Sequence, residues 1–580
     1  MSTVTLPNGS APQPGEERRP KPRFLTEFTP TRYTKRLHPF SRKPAVARLG
    51  ELWHVTAQRN PTQVMITDRP PDTDPDGGAT RTNVQWAELV DRTAAWLHAA
   101  GVRPWDRVAV MKANHFDIFV TASAVARIGA IPCLLSGTYD AETAQILLQR
   151  LEKPFLLTDR EHIERCGISE EVVASYTVRT ISVDGAENRP DIIDLASLRD
   201  AGVPPAVPRM REMHEPMIIT HTSGTTGYPK LVMHSAESVY SMGVVESNRW
   251  PRWLTKKDTM VFCDPYTHER LTTFTLAVAT TTPRMVWLSG PDIEIARRMI
   301  AEYKPTLIET LPNIFLSWEP LARDPARLFK QVRLFLNSFD AIHTRTIRLF
   351  MSATDVKLPF WVQSWSQSEN GVLCMRPYLR FMVRKRGHMP PPTQLIGWAL
   401  YPHAKLRAVD PETGVKLKAG QVGMIMISQP GRCLAYVQEQ DRHDLKVVGE
   451  WWNTGDLGVM NKLGACRLVD REVDRIDNEN NDAVSAIAME DIILDRLPQT
   501  SEVVILPQAG ELPVPVVSTY DDVPIDEQEW ADAIADLPKL ASLVQISWDA
   551  FPRTGTWKIK RGVLREQLLG AKGIGIGRWT

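Results

Sequence analysis

Between Ile219 and Ser235 the chain reads Ile-Thr-His-Thr-Ser-Gly-Thr-Thr-Gly-Tyr-Pro-Lys-Leu-Val-Met-His-Ser. The unbroken run Thr222, Ser223, Gly224, Thr225 and Thr226, with Gly227 and Lys230 behind it, can wrap a polyphosphate. Glycines let backbone N–H groups approach phosphate oxygens, hydroxyls donate hydrogen bonds, and a lysine neutralises charge. Met217-Ile218-Ile219 reads as the end of a buried strand. The loop therefore hangs from a strand end, where α/β proteins build nucleotide sites. No Gly-Lys-Ser/Thr follows a Gly-x4 spacer, so this is not a Walker P-loop. A plain Ser/Thr/Gly surface linker would not call for a lysine at a fixed offset and a strand in front.

Three more chemical stretches follow in order. Residues 363–371 read Gln-Ser-Trp-Ser-Gln-Ser-Glu-Asn-Gly, residues 451–456 read Trp-Trp-Asn-Thr-Gly-Asp with Asp470-Arg471 beyond, and residues 552–565 read Pro-Arg-Thr-Gly-Thr-Trp-Lys-Ile-Lys-Arg-Gly-Val-Leu-Arg. Taken singly, each has an ordinary reading as core aromatic, turn or solvated basic loop. Together they resemble the motif series of the adenylate-forming superfamily: acyl- and aryl-CoA synthetases, luciferases and the adenylation domains of peptide synthetases. Members of that family turn an acid and ATP into an acyl-adenylate and pyrophosphate, and most then pass the acyl group to a thiol.

The resemblance implies roles for particular residues. Thr222, Ser223, Gly224, Thr225, Thr226, Gly227 and Lys230 would hold the phosphates. Trp365 would stack on adenine, Ser368 would contact the α-phosphate, and Glu369, with Thr222, would hold Mg²⁺. Asp456 would accept hydrogen bonds from both ribose hydroxyls, and Arg471 would bind nucleotide and open the carboxy-terminal domain. Lys558 would be the catalytic cation, bridging the acid oxygen and the α-phosphate as charge builds in the transition state. His268, in Asp-Pro-Tyr-Thr-His-Glu-Arg (264–270), would gate the acid site. Amino-terminal landmarks agree, among them Trp86-Ala87-Glu88-Leu89, Asp106-Arg107-Val108-Ala109-Val110 and Arg127-Ile128-Gly129-Ala130-Ile131. The likeness covers about residues 46–570, and implies ATP and Mg²⁺ as cofactors.

Departures from the family pattern bear on the acid and the acceptor. Val473 stands at the usual Asp or Lys hinge, Asp477-Asn478-Glu479-Asn480-Asn481-Asp482 replaces a glycine-bearing thiol tunnel, and Trp557 replaces the Gly before the catalytic lysine. An acidic lining repels a phosphorylated acceptor such as CoA. In the acid pocket Glu269 and Arg270 follow His268 where relatives carry small or apolar residues and a Gly. Phe339 and Asp340 stand where relatives have Gly-Gly-Ala-Pro-Leu, narrowing a channel that Gly leaves open. A small or polar acid suits such a site better than a long acyl tail, and Arg270 could hold an anion through its paired N–H groups. The other reading is that Glu269 and Arg270 pair with each other on a surface helix.

The elements that must position these residues are legible too. Helical stretches at 89–100 and 117–129 interleave with short apolar or β-branched runs at 107–111, 155–158, 217–220, 259–263, 284–288 and 306–310. That alternation predicts an α/β fold with largely parallel sheets. Val422–Ile427 and Cys433–Tyr436 read as antiparallel strands of a smaller β subdomain, and Pro70–Gly78 as an exposed loop. A boundary near Arg471–Val473 divides a large amino-terminal domain (46–472) from a small mobile α+β lid (473–580), with Met489–Leu497 helical and Glu502–Leu506 a strand. Residues 1–45 read as a mobile arm rather than a signal peptide.

Composition sets the outer limits. At 580 residues and roughly 150 per domain, three or four folding units are expected. The net charge is +1, so no bulk field favours nucleic acid or an anionic membrane. No apolar run reaches the ~18 residues of a transmembrane segment. Cys133, Cys166, Cys263, Cys374, Cys433 and Cys466 show no Cys-x2-Cys spacing, which fits a reducing cytoplasm.

Three functions fit these features. One is an AMP-forming ligase that activates a small organic acid and passes it to CoA or another acceptor. The second keeps the nucleotide chemistry but activates nitrite and delivers it to an arylamine, as some biosynthetic relatives of the acyl-CoA ligases do. The third is a catalytically inactive scaffold, which has no need of Lys230, Glu369, Asp456, Arg471 and Lys558. Lys558→Ala separates the third from the others. Loss of a cation aimed at the transition state is expected to slow adenylate formation by roughly 10²-fold or more with the fold intact, read as pyrophosphate release alongside a thermal melt.

Overall fold

The computed structural model describes residues 37, 41–186, 188–222, 228–249, 254–279, 283–384, 392–400, 402–471, 476–477, 483–508, 511–554 and 558–570. Two large sheets organise the chain. In the first, of eight strands, Arg107–Val110 lies between Ile131–Leu134 and Phe155–Thr158 with all three parallel. In the second, of fourteen strands, a parallel half containing Val64–Thr67 and Arg284–Trp287 continues without a break into an antiparallel half containing Gly371–Tyr378, Leu395–Ala399 and Val422–Ser428.

The elements around the candidate site are, in chain order, β1 (Pro216–His221), β2 (Leu231–Ser235), α1 (Ala236–Arg249), β3 (Thr259–Cys263), α2 (Glu269–Val278), β4 (Leu307–Thr310), β5 (Leu334–Asn337), α3 (Thr344–Ser352), β6 (Phe360–Gln367), β7 (Trp451–Met460), β8 (Ala465–Arg471) and α4 (Ala486–Arg496). β1 joins the first sheet beside Ile131–Leu134, and β2 returns antiparallel to it. β3, β4, β5 and β6 run parallel in the second sheet. Their short apolar sequences, Thr-Met-Val-Phe-Cys or Leu-Phe-Leu-Asn, are buried throughout, as strands covered on both faces require.

One apolar core lies between the sheets. It joins Val108, Val110 and Ile218 of the first to Met260, Phe262 and Leu336 of the second, through Val239 and Met242 of α1 and Leu271 and Phe274 of α2. Within it Trp287 stacks on Phe116 with ring centroids 4.2 Å apart. A second core covers the opposite face of the parallel half, with Phe315, Phe335, Phe350 and Trp361 in mutual ring contact. Among the described residues no helix is long and apolar enough to cross a membrane.

The α/β alternation is as the sequence predicts, with three adjustments. The expected antiparallel strands are not a separate sheet, because Val422–Ser428 continues the second sheet through β7. Ala435–Tyr436 pairs instead with β2, so this segment ties the first sheet to the residues following β6. The loop after Arg69 is exposed only over its second part. Asp74 is tied down by Arg81 and Arg92 at 2.7 Å each, and Asp72 pairs with the buried Lys112.

Residues beyond β8 form α4, a three-stranded sheet (Thr500–Leu506, Val514–Thr519, Val544–Gln545) and two further helices, Glu527–Ile534 and Arg561–Leu569. This unit docks on α3 through polar contacts. Asp491 of α4 accepts from Thr344 N–H at 3.1 Å, Thr344 Oγ1 at 3.0 Å and Thr393 Oγ1 at 2.9 Å. His343 lies between Asp491 (3.4 Å) and Glu502 (3.7 Å), Arg348 pairs with Asp495, and Arg345 reaches the Thr500 carbonyl at 2.9 Å. Burial alone would lower the His343 pKa, but the two carboxylates outweigh it and raise it to about 10. A raised pKa contributes stability that is complete below the unfolded-state value near ~6.5 and is lost as pH climbs through about 10. His343→Ala is therefore expected to destabilise the docked unit by about 3 kcal/mol at neutral pH, with the deficit shrinking towards pH 10. Thermal melts of both proteins across that range check it, and a deficit that grows with pH contradicts the sign.

Candidate active site

The site forms where the ends of β1, β3 and β6 meet. β1 and β2 close the neck of the loop between Thr222 and Lys230. Thr222 N–H donates to the Lys230 carbonyl at 3.0 Å, and Lys230 N–H donates to Thr222 Oγ1 at 3.1 Å. Ser223, Gly224, Thr225, Thr226 and Gly227 lie outside the described residues. Lys230 places its ammonium 5.1 Å from the centre of the Tyr436 ring. Burial, with Lys446 adding to it, lowers its pKa to about 8.

Beyond β6 the chain turns through Gln367, Ser368 and Glu369, and this turn contacts residues of β2, α2 and β7. Gln367 Nε2 donates to the Thr454 carbonyl at 2.8 Å and to Asp456 at 3.5 Å, while Trp452 Nε1 donates to Gln367 Oε1 at 3.1 Å. Asp456 lies opposite Arg471 in the β7–β8 register. Trp365 packs against the apolar cluster of Leu373, Cys374, Tyr436 and Trp452. Glu369 is buried and accepts a hydrogen bond from the Tyr436 hydroxyl. His234 Nε2 donates to the Ser368 carbonyl at 2.8 Å, which anchors the turn on β2. Burial lowers the His234 pKa to about 4, so its ring is neutral.

His268 caps α2. Its Nδ1 accepts the Arg270 N–H at 3.1 Å, which leaves the ring proton on Nε2, 3.1 Å from Ser368 Oγ. Enclosure, then the charges of His221, Lys558 and Arg270, hold its pKa well below the usual histidine value. His268 is thus a neutral hydrogen-bond donor. The same influence sets Lys558, on the carboxy-terminal unit, within electrostatic reach of His268. Lys558 N–H donates to Thr554 Oγ1 at 3.2 Å, and Thr554 N–H donates to the Lys558 carbonyl at 2.8 Å, so a tight hairpin presents it. Trp557 lies outside the described residues, as do Val473 and residues 478–480 and 481–482.

Phe339 has φ +77°, a left-handed conformation that a Gly adopts freely and a phenylalanine rarely does. Its ring centroid lies 4.3 Å from that of His268. Backbone strain of about 1–3 kcal/mol at such a position is characteristic of functional sites, and here it sets an aromatic ring beside His268. Asp340 is exposed and caps its own turn on Ala341 N–H at 2.9 Å, so only Phe339 narrows the pocket.

The expectations for Glu269 and Arg270 need correcting. α2 is buried along its length, so neither lies on a surface helix. Arg270 Nη1 is 2.9 Å from Glu246 of α1, and its Nη2 and Nε are 2.6 and 2.7 Å from Glu309 of β4. The guanidinium is already engaged by two carboxylates, which disfavours a free anion there. Burial raises the Glu269 pKa to about 8. Glu246 and Glu309 were not singled out from sequence, and Asp264 and Tyr436 were read only as parts of a motif and a strand-turn element, with no role at the site. A charged residue inside the apolar run Leu-Ile-Glu-Thr of β4 is the signal that could have found Glu309.

A sequence pattern described as AMP-binding enzyme matches residues 53–437. The chain belongs to the AMP-binding enzyme family. It is 34% identical over 544 residues to the 3-amino-2-hydroxy-4-methoxybenzoate diazotase of Streptomyces cremeus, covering 90% of this chain and 96% of that protein. It is 23% identical to an anthranilate–CoA ligase of Pseudomonas aeruginosa, over 74% of this chain and 78% of that one. Among solved structures, ATP-bound MatB from Rhodopseudomonas palustris superposes with a TM-score of 0.73 at 21% identity, covering 90% of this chain and 98% of MatB. Homologues of this family enzyme are adenylate-forming ligases and diazotases.

A lysine held near pKa 8 by burial must be protonated to meet a polyphosphate. ATP binding at pH 8 is therefore expected to take up a fraction of a proton, and affinity to fall as pH rises above about 8. Calorimetry in buffers of different ionisation enthalpy measures the uptake, and Lys230→Met is expected to abolish it.

Proposed function

We propose that this enzyme activates nitrite with ATP and delivers the nitrosyl group to an arylamine, forming a diazo product. The observation that carries the reading is the 34% identity to a diazotase, extending over 90% of this chain and 96% of the relative. A second diazotase, named for 3-aminoavenalumate, is 24% identical over 71% of each chain. The site supports a small acid: Phe339 closes against His268, and the pocket floor carries buried charge where an acyl tail would need apolar surface.

In this reading a nitrite oxygen attacks the α-phosphorus of ATP, pyrophosphate leaves, and nitrosyl-adenylate forms. Thr222–Gly227 and Lys230 hold the phosphates, Trp365 the adenine, Asp456 the ribose and Arg471 the nucleotide. His268 and Ser368 orient the nitrite, and Lys558 stabilises charge on the oxygens between nitrogen and phosphorus. Glu369 and Thr222 suit Mg²⁺, which takes one or two protein oxygens and completes its shell with phosphate and water. When bound, the ion would neutralise phosphate charge as pyrophosphate departs.

The amine nitrogen then attacks the nitrosyl nitrogen and AMP leaves. No thiol tunnel is needed. The docking of the carboxy-terminal unit on α3, with the Lys558 charge felt at His268, suits a lid that shelters a hydrolysable adenylate. The test is a panel of amines and acids assayed for AMP. AMP that depends jointly on nitrite and an aminobenzoate-type amine, with a product that couples to form an azo dye, is expected. Thioester formed from a carboxylic acid and CoA, with no response to nitrite, would instead make the protein an ordinary acyl-CoA ligase.

A further inference from the structure

Five ionisable side chains gather behind the His268 gate: Glu246, Asp264, Glu269, Arg270 and Glu309, each 3% exposed or less. They come from four elements. Phe262 of β3 is in register with Glu309 of β4, Asp264 follows directly after β3, and the charges of Glu309 and Arg270 both bear on it. Arg270 ion-pairs with Glu246 and Glu309. That satisfies the cation without Asp264, yet Asp264 is buried among the same groups. Neither of its carboxyl oxygens has a hydrogen-bond partner among the described residues. Burial, and then the negative charge of Glu309, push the Asp264 pKa well above the carboxylate range, with Arg270 opposing. Glu309 is held by the guanidinium at 2.6 and 2.7 Å. A carboxyl group that burial favours in its protonated form, Asp264, thus shares one buried cluster with a carboxylate engaged by a guanidinium, Glu309, and an acid and a base exchanging a single mobile proton need such a cluster.

The pair is linked to His268 through the chain and through Arg270. Pro265-Tyr266-Thr267 runs from Asp264 straight to His268, and the Arg270 charge is among those felt by His268. Glu269, one residue past the gate, feels both Glu246 and Glu369.

We propose, resting on the nitrite reading, that Asp264 and Glu309 are the proton-transfer pair of the amine half-reaction. The amine nitrogen forms a bond to the nitrosyl nitrogen of nitrosyl-adenylate, the nitrogen–oxygen bond to the phosphate breaks, and AMP leaves. Glu309 takes one amine proton, giving a neutral N-nitrosamine. The second amine proton moves to the nitroso oxygen, giving the diazohydroxide. The proton held by the pair is then returned from Asp264 to that hydroxyl, the nitrogen–oxygen bond breaks, and water and the aryldiazonium ion form. Both amine hydrogens and one nitrite oxygen leave as water, and no net proton is taken up after adenylation.

The test measures the ratio of diazo product to pyrophosphate in the full chain with ATP, nitrite and an arylamine. Glu309→Gln and Asp264→Asn are compared with the parent. Both are expected to lower the ratio by about 10²-fold, because nitrosyl-adenylate still forms but is lost to water. Asp264→Asn changes no volume and keeps the test open where Glu309→Gln, which weakens an Arg270 pair, fails to fold. A purely structural cluster moves differently: pyrophosphate, diazo product and melting temperature fall together and the ratio holds, which overturns the proposal. An unchanged ratio at full rate overturns it equally. If the parent releases no nitrite-dependent pyrophosphate, the functional reading itself fails, and the proton-transfer role fails with it.

Discussion

A guanidinium taken out of water is destabilising by several kcal/mol unless carboxylates replace the lost solvent. Arg270 meets that constraint with Glu246 from α1 and Glu309 from β4, and the arrangement of the pocket follows from it. α1, α2 and the parallel strands are locked in one register by a pairing that apolar packing alone would leave free to slide. The first turn of α2 is fixed, so its cap His268 is fixed too, with Nδ1 spent on the Arg270 amide and Nε2 directed at Ser368. The orientation of the gate is thus a consequence of a buried charge two residues away.

From that point the Gln367–Glu369 turn distributes the geometry. Ser368 meets the gate, Glu369 meets Tyr436 near Lys230, and Gln367 meets Asp456. A single turn couples the positions at which acid, phosphate and ribose would sit, so binding at one bears on the others. The cost of the assembly is carried at Phe339, whose left-handed backbone holds its ring against His268.

Much of this was legible in the sequence. The strand before the phosphate loop, the buried runs at 259–263 and 306–310, and the helix and strand after 485 are short, strongly patterned segments whose type periodicity decides. The continuity of the antiparallel strands with the parallel sheet was not legible, because local pattern does not say which sheet a strand joins. The Ala435–Tyr436 pairing with β2 is a contact across some two hundred residues, and a two-residue strand carries almost no periodicity. At the site, sequence motifs pointed to particular residues, but not to the partners that hold them. Arg270 was visible, but its partners lie on α1 and β4, and only the folded chain brings them together. Hence an arginine that could have received an anion proves to be neutralised from within.

The central claim is that a nitrite oxygen, not a carboxylate oxygen, becomes bonded to the α-phosphorus. Turnover with nitrite carrying ¹⁸O at both positions, followed by mass spectrometry of the AMP, tests it most directly. Attack by nitrite and later cleavage of the nitrogen–oxygen bond leave one nitrite oxygen on the phosphate, so each AMP is predicted to carry a single ¹⁸O. AMP that forms together with the diazo product but carries no label would contradict the account.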